Sequence, residues 1–150
     1  MKKYFFLLAA MFIGAVCLTS CGDDDDLEDA IDDIISGKVK PTVTIKDGNP
    51  AVFTATFKDV YTETMTATFD ENDECIKFIT EGTYATDKLA DEAWKDIQEN
   101  YDKDELEYFT RKGKTIIEDE TEDFEGYSHE DILYFFELTK QDFESGEWLK

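Results

Sequence analysis

A period-two alternation of threonine with apolar residues most restricts the fold of this 150-residue chain. From residue 42 to 57 and from 64 to 80, apolar side chains occupy nearly every second position and threonines fill most of the others. Successive side chains of a strand point to opposite faces of a sheet, so this pattern predicts half-buried strands. Turn residues at 47–50 and 70–74 divide the region into two hairpins. We therefore expect four strands in meander order, with a threonine face towards water.

Helical spacing replaces the alternation from Thr86 to Tyr101. Thr86 is a suitable N-cap, and the charged residues fall on the side opposite one broad apolar stripe. The stripe consists of Leu89, Ala90, Ala93, Trp94, Ile97 and Tyr101. This helix is expected to lie across the buried face of the sheet.

The last third of the chain predicts another hairpin and a second helix. Residues 106–110 and 114–119 bracket a turn with Gly113 at the position that needs a left-handed backbone. Ser128 with Asp131 approximates a capping box, although the apolar run 132–136 is also compatible with a buried strand. Length and the cap favour the helix. The expected order is ββββ-α-ββ-α, an α+β fold in which about two helices pack on one face of an antiparallel β-meander sheet.

The amino-terminal residues have the composition of an export signal. Lys2 and Lys3 precede an apolar run of about fifteen residues, which is shorter than the roughly twenty that a membrane-spanning helix needs. The run ends in Leu18-Thr19-Ser20-Cys21, and Gly22 separates this cysteine from four aspartates: Asp23, Asp24, Asp25 and Asp26. The alternative is an ordinary cleaved signal in which the cysteines are incidental.

These residues resemble the signal region of bacterial surface lipoproteins of the Bacteroidetes type. The tetrapeptide that ends in Cys21 is similar to their lipobox, in which the signal is removed before a cysteine that carries lipid. The aspartates that follow are similar to the acidic tag that directs such proteins to the outer leaflet. The resemblance covers residues 1–26 only and implies lipidation at Cys21, an outer-membrane location and surface exposure. It implies nothing about the folded domain.

The chain is therefore expected to have three parts. Residues 1–20 form a lipoprotein signal peptide that is cleaved, residues 21–37 a lipidated cysteine with an acidic tether, and residues 38–150 a single α+β domain. Cys17 leaves with the signal, so Cys75 has no internal disulfide partner and is expected to be a small buried hydrophobe.

Charge excludes one class of partner. The formal net charge is −22, and removal of Lys2 and Lys3 makes it two units more negative. Nucleic-acid binding depends on basic residues that neutralise phosphates, so no nucleic acid is expected to bind. The membrane is expected to be contacted through the lipid anchor, and an envelope protein or a glycan remains a possible partner.

No catalytic, cofactor-binding or metal-binding residue can be assigned from the sequence. The Ser128-His129 pair reads as a helix cap rather than as part of a catalytic triad, and the single histidine leaves zinc without its usual ligands. The acidic segment 70–74 lacks the glycine and distal glutamate of a calcium loop, so it reads as a hairpin turn, with weak Ca²⁺ binding as the alternative.

The expected function is a lipid-anchored cell-surface lipoprotein whose domain is a small non-catalytic binding module. Two alternatives stay open. One is a carboxylate-dependent hydrolase, or a hydrolase accessory, that acts on an extracellular polymer, because the chain has 37 acidic residues. The other is a structural or assembly lipoprotein that faces the periplasm.

Overall fold

Six antiparallel strands form one sheet in the computed structural model, which describes residues 32–34 and 36–146. In chain order the strands are β1 Thr42–Lys46, β2 Ala51–Phe57, β3 Tyr61–Phe69, β4 Cys75–Tyr84, β5 Phe109–Lys112 and β6 Thr115–Asp119. Their order in the sheet is β1-β2-β3-β4-β6-β5, so β1 and β5 are the edges. The four-stranded meander is therefore confirmed, and the second hairpin extends it beyond β4.

The fully described α-helices are α1 Asp87–Asn100, α2 Thr121–Phe124 and α3 His129–Ser145, and residues 32–34 are also helical. The α+β class and the order of the main elements agree with the sequence-based expectation, and α2 is an additional single turn. The expectation was wrong at residues 106–108, which form a 3-10 turn instead of the start of β5. There the backbone N–H of Tyr108 donates to the carbonyl of Glu105, and that of Phe109 donates to the carbonyl of Leu106, so the chain curls before it enters the sheet.

The core lies between one face of the sheet and the two long helices. Helix α1 contacts β4 and β6, whereas α3 contacts β1 and β2. The inward residues of the strands alternate strictly with half-exposed ones in β2 and β3. The largest fully buried side chains are Tyr84, Phe53, Phe57, Phe78, Phe136, Phe143, Ile34, Ile97, Ile116 and Ile132. Ile34, in the segment expected to be a tether, thus joins the core of the domain.

The carboxyl-terminal segment is a helix, which settles the choice between helix and strand. The hydroxyl of Ser128 accepts from the backbone N–H of Asp131, and the Asp131 carboxylate accepts from the backbone N–H of Ser128. This reciprocal cap satisfies two donors that a helix start leaves open. Gly146 ends the helix in the left-handed conformation, with φ of 76°.

Replacement of Ser128 by alanine removes half of this cap. We expect the free energy of unfolding to fall by about 1 kcal/mol, the usual magnitude for loss of an N-cap side chain. Urea denaturation would measure it, with Gln141→Ala at an exposed position of α3 as the control. Equal stability of Ser128→Ala and the parent protein would contradict a stabilising role for the cap.

Candidate functional site

The residues predicted for lipidation and export lie outside the described part of the chain. Cys21 and the aspartates Asp23, Asp24, Asp25 and Asp26 precede residue 32, so their roles stay predictions. Among the residues that the structure describes, no helix is long and apolar enough to cross a membrane.

Within residues 32–34 and 36–146, no helix packs on one face of the sheet, and we call this face the open face. Its side chains are those that alternate with the core residues of each strand. The strand register aligns five of its threonines in one row across β1, β2, β3, β4 and β6: Thr42, Thr56, Thr62, Thr83 and Thr115. The hydroxyls of Thr83 and Thr115 are 3.0 Å apart, so neighbouring strands share hydrogen bonds along the row. The predicted threonine face is therefore present.

Charge on the open face differs from that of the whole chain. A second row, which contains Thr44, Thr54 and Thr64, runs beside the first. The charged side chains of this face are three lysines and two acids: Lys46, Lys77, Lys112, Glu81 and Asp119. A chain with a formal charge of −22 thus presents one nearly neutral surface covered with hydroxyl and methyl groups.

The opposite, covered face contains acidic residues that the sequence analysis did not identify. Glu63 is in the inward row of β3 and is only 2% exposed. The Tyr61 hydroxyl donates to its Oε2 at 2.9 Å. Burial raises the pKa of Glu63 to about 7, and the charge of Glu120 adds to the increase, whereas the Tyr61 hydrogen bond opposes it. The sequence signal for this residue was its place in the inward row between Tyr61 and Met65.

Two more glutamates lie on the same side, at the end of β6. Glu120 is 8% exposed and accepts a short hydrogen bond of 2.5 Å from the Thr80 hydroxyl. Burial raises the pKa of Glu120 to about 7, while the bond from Thr80 opposes the shift. Glu118 pairs with Thr80 in the strand register and is 9% exposed. We call Glu63, Glu118 and Glu120 the buried glutamates.

The Ser128-His129 pair does not form a nucleophile and base. The Ser128 hydroxyl is 2.6 Å from a carboxylate oxygen of Asp131, as a cap requires. Nε2 of His129 lies 3.0 Å from Oδ1 of Asp47, and its ring is 4.4 Å from that of Phe69. Through His129, the start of α3 therefore contacts the β1–β2 turn and β3.

The acidic segment 70–74 is a turn, as predicted. Oδ1 of Asp70 accepts from the backbone N–H groups of Asn72 and Glu74, and these bonds hold the pKa of Asp70 below its usual value. No group of three or more His, Cys, Asp or Glu side chains within residues 32–34 and 36–146 is placed to hold a metal ion.

Cys75 is buried in the core at the start of β4, as the sequence indicated. Desolvation raises the pKa of its thiol, and the carbonyl of Lys77 lies 3.5 Å from the sulfur. A raised pKa lowers the fraction of reactive thiolate.

Comparisons with models of known protein families, with curated protein sequences and with solved structures found no match for this chain.

Proposed function

We propose that this chain is an outer-membrane lipoprotein, held by lipid at Cys21 and displayed at the cell surface, whose domain is a non-catalytic binding module. The signal residues and the acidic tag support the anchor and the display. The open face supports the binding role, and it is the single structural observation on which that role depends.

The open face suits contact with an uncharged partner. Most of the surface of a strongly acidic chain repels anionic partners and is heavily hydrated. The threonine rows lack this net charge, and each hydroxyl both donates and accepts hydrogen bonds. An envelope protein or a glycan can therefore approach this face without the burial of unpaired carboxylates, which is unfavourable. Nucleic acid stays an unsuitable partner, because the basic residues that neutralise phosphates are few.

The hydrolase alternative has one observation in its favour. A general acid needs a carboxyl with a raised pKa, and Glu63 and Glu120 both have one. Their burial opposes the alternative, because side chains 2% and 8% exposed cannot reach the glycosidic bond of a polymer. The buried glutamates also lie on the side of the sheet that the helices cover. The binding module is therefore the better reading of this geometry.

Protease treatment of intact cells tests the display. We expect the domain to be degraded in intact cells, whereas a variant with the four aspartates at 23–26 replaced by asparagine is retained inside and protected. Lysed cells that lose both proteins provide the control for protease sensitivity. Full protection of the parent protein in intact cells would favour the periplasm-facing alternative and contradict surface display.

A further inference from the structure

Glu63 and Glu120 reach the covered layer from two sides of the same strand. Glu63 on β3 pairs with Gly82 of β4, and Glu120 bonds to Thr80, which lies two residues before Gly82 on β4. Both carboxyls therefore lie over β4, the central strand that α1 contacts. Gly82 has no side chain, so Glu63 has no side-chain partner directly opposite it on β4.

The groups that face these carboxyls are almost all acids or hydroxyls. Those on the covered side that act on Glu63 or Glu120 are Tyr61, Thr80, Tyr84, Asp123 of α2 and Tyr101, the C-cap of α1. The charge of Asp119 also reaches Glu120, from the open face, and Glu118 acts on Tyr61 and Tyr101. None of the ion pairs found among the described residues includes Glu63 or Glu120. The guanidinium of Arg111, on the inward side of β5, is instead 2.6 Å from Asp91 of α1.

Helix α1 brings further negative charge to the same layer. Burial raises the pKa of both Tyr84 and Tyr101, and the charge of Asp96 adds to each increase. Partial desolvation raises the pKa of the Asp96 carboxyl as well. Glu63 acts on the same Tyr84, and Glu120 on the same Tyr101. Ionised Glu63 and Glu120 would therefore add buried negative charge to a layer in which no cation pairs with them, and this disfavours the docked state.

We propose that the contact between α1 and the sheet is a proton-dependent latch, in which α1 docks firmly while Glu63 and Glu120 are protonated and loosens when they ionise. The two carboxyls need no cation in the docked state, because the neutral acid is tolerated in a buried site far better than the carboxylate. When α1 is released, both carboxyls are exposed to water and ionise as solvated glutamates do. The latch would make the covering of β4 and β6 sensitive to pH near neutrality, independently of any ligand on the open face.

The sign of the pH effect follows from proton binding. Both pKa values are raised from 4.5 in water to about 7 in the docked state. Docking is therefore strongest below about pH 4.5, weakens as the pH rises towards about 7, and changes little above it. Within this window each glutamate favours release by up to about tenfold per pH unit.

Hydrogen exchange of backbone amides, corrected for intrinsic rates, measures the latch directly. We expect the protection of α1 amides in the parent protein to fall by at least about tenfold between about pH 5.5 and pH 7.5. Amides of α3, which contacts β1 and β2 and reaches β4 through Phe136, should keep their protection and serve as the internal reference. Unchanged protection of α1, or an equal loss in α1 and α3, would overturn the proposal.

A pair of glutamine substitutions identifies the groups responsible. Glu63→Gln with Glu120→Gln keeps the shape of the protonated side chains, so this variant is expected to fold and to lose the pH dependence of α1 exchange. Glu81→Gln with Glu125→Gln, at the open face and at the exposed turn after α2, removes the same charge and should leave the pH dependence intact. Persistence of the parent profile in the first variant, or its loss in the second, would contradict the assignment.

Discussion

Replacement of Cys21 by serine is expected to abolish incorporation of labelled palmitate into the protein. In the proposed anchor, the lipid is held by a thioether to the lipobox cysteine, and serine offers no thiol. Each buried CH₂ contributes about 0.8 kcal/mol to membrane binding, and a single chain anchors only marginally. The proposed anchor therefore requires two or more chains on Cys21, and the substitution is expected to remove the whole lipid contribution.

The sequence contains a matched control for this experiment. Cys17 lies four residues earlier, within the apolar stretch that is expected to leave with the signal. Cys17→Ser should incorporate as much palmitate as the parent protein. Label that persists in Cys21→Ser, or that is lost in Cys17→Ser instead, would place the lipid at a different residue.

The second large effect is expected in the core, where Phe78→Ala should lower the free energy of unfolding by about 3–5 kcal/mol. Phe78 is fully buried on β4. Its ring stacks on that of Phe124 at 3.9 Å and lies 6.1 Å from that of Phe136, so it joins the sheet to both α2 and α3. Truncation leaves a cavity between β4, α2 and α3, and these three elements cannot all move to fill it. Denaturation in urea would measure the loss.

Tyr134 on α3 provides the matched aromatic control. Its side chain is 65% exposed, so Tyr134→Ala should change the free energy of unfolding by no more than about 0.5 kcal/mol. A loss in Phe78→Ala as small as that in Tyr134→Ala would mean that the contact between β4 and the helices contributes little to stability.

Most of the fold could be predicted because its signals are local. The hairpins of residues 42–80 follow from alternation and turn residues, and α1 follows from its cap and apolar stripe. The segment 132–136 was ambiguous because a short apolar run suits a strand or a helix equally, and only the reciprocal cap at Ser128 and Asp131 decides it. The 3-10 turn at 106–108 was missed because it depends on how the chain leaves α1.

The buried glutamates could not be assigned from the sequence because their environment is non-local. With 37 acidic residues in the chain, an acid within a strand pattern reads as one more solvated charge. The contact between Thr80 and Glu120 joins residues 40 positions apart, and it exists only because β6 pairs with β4. The sequence did indicate the position of Glu63, since the alternation along β3 places it in the inward row between Tyr61 and Met65. The alternation of side chains along β3 fixes the direction in which Glu63 points. The residues that exclude water from it come from elsewhere in the chain.

Mass spectrometry of the protein isolated from its native envelope tests the proposed lipid anchor at Cys21. The predicted result is an amino-terminal peptide that begins at Cys21 and carries the added mass of acyl chains on this residue. An amino-terminal peptide with an unmodified Cys21, or one that begins at another residue, would contradict it.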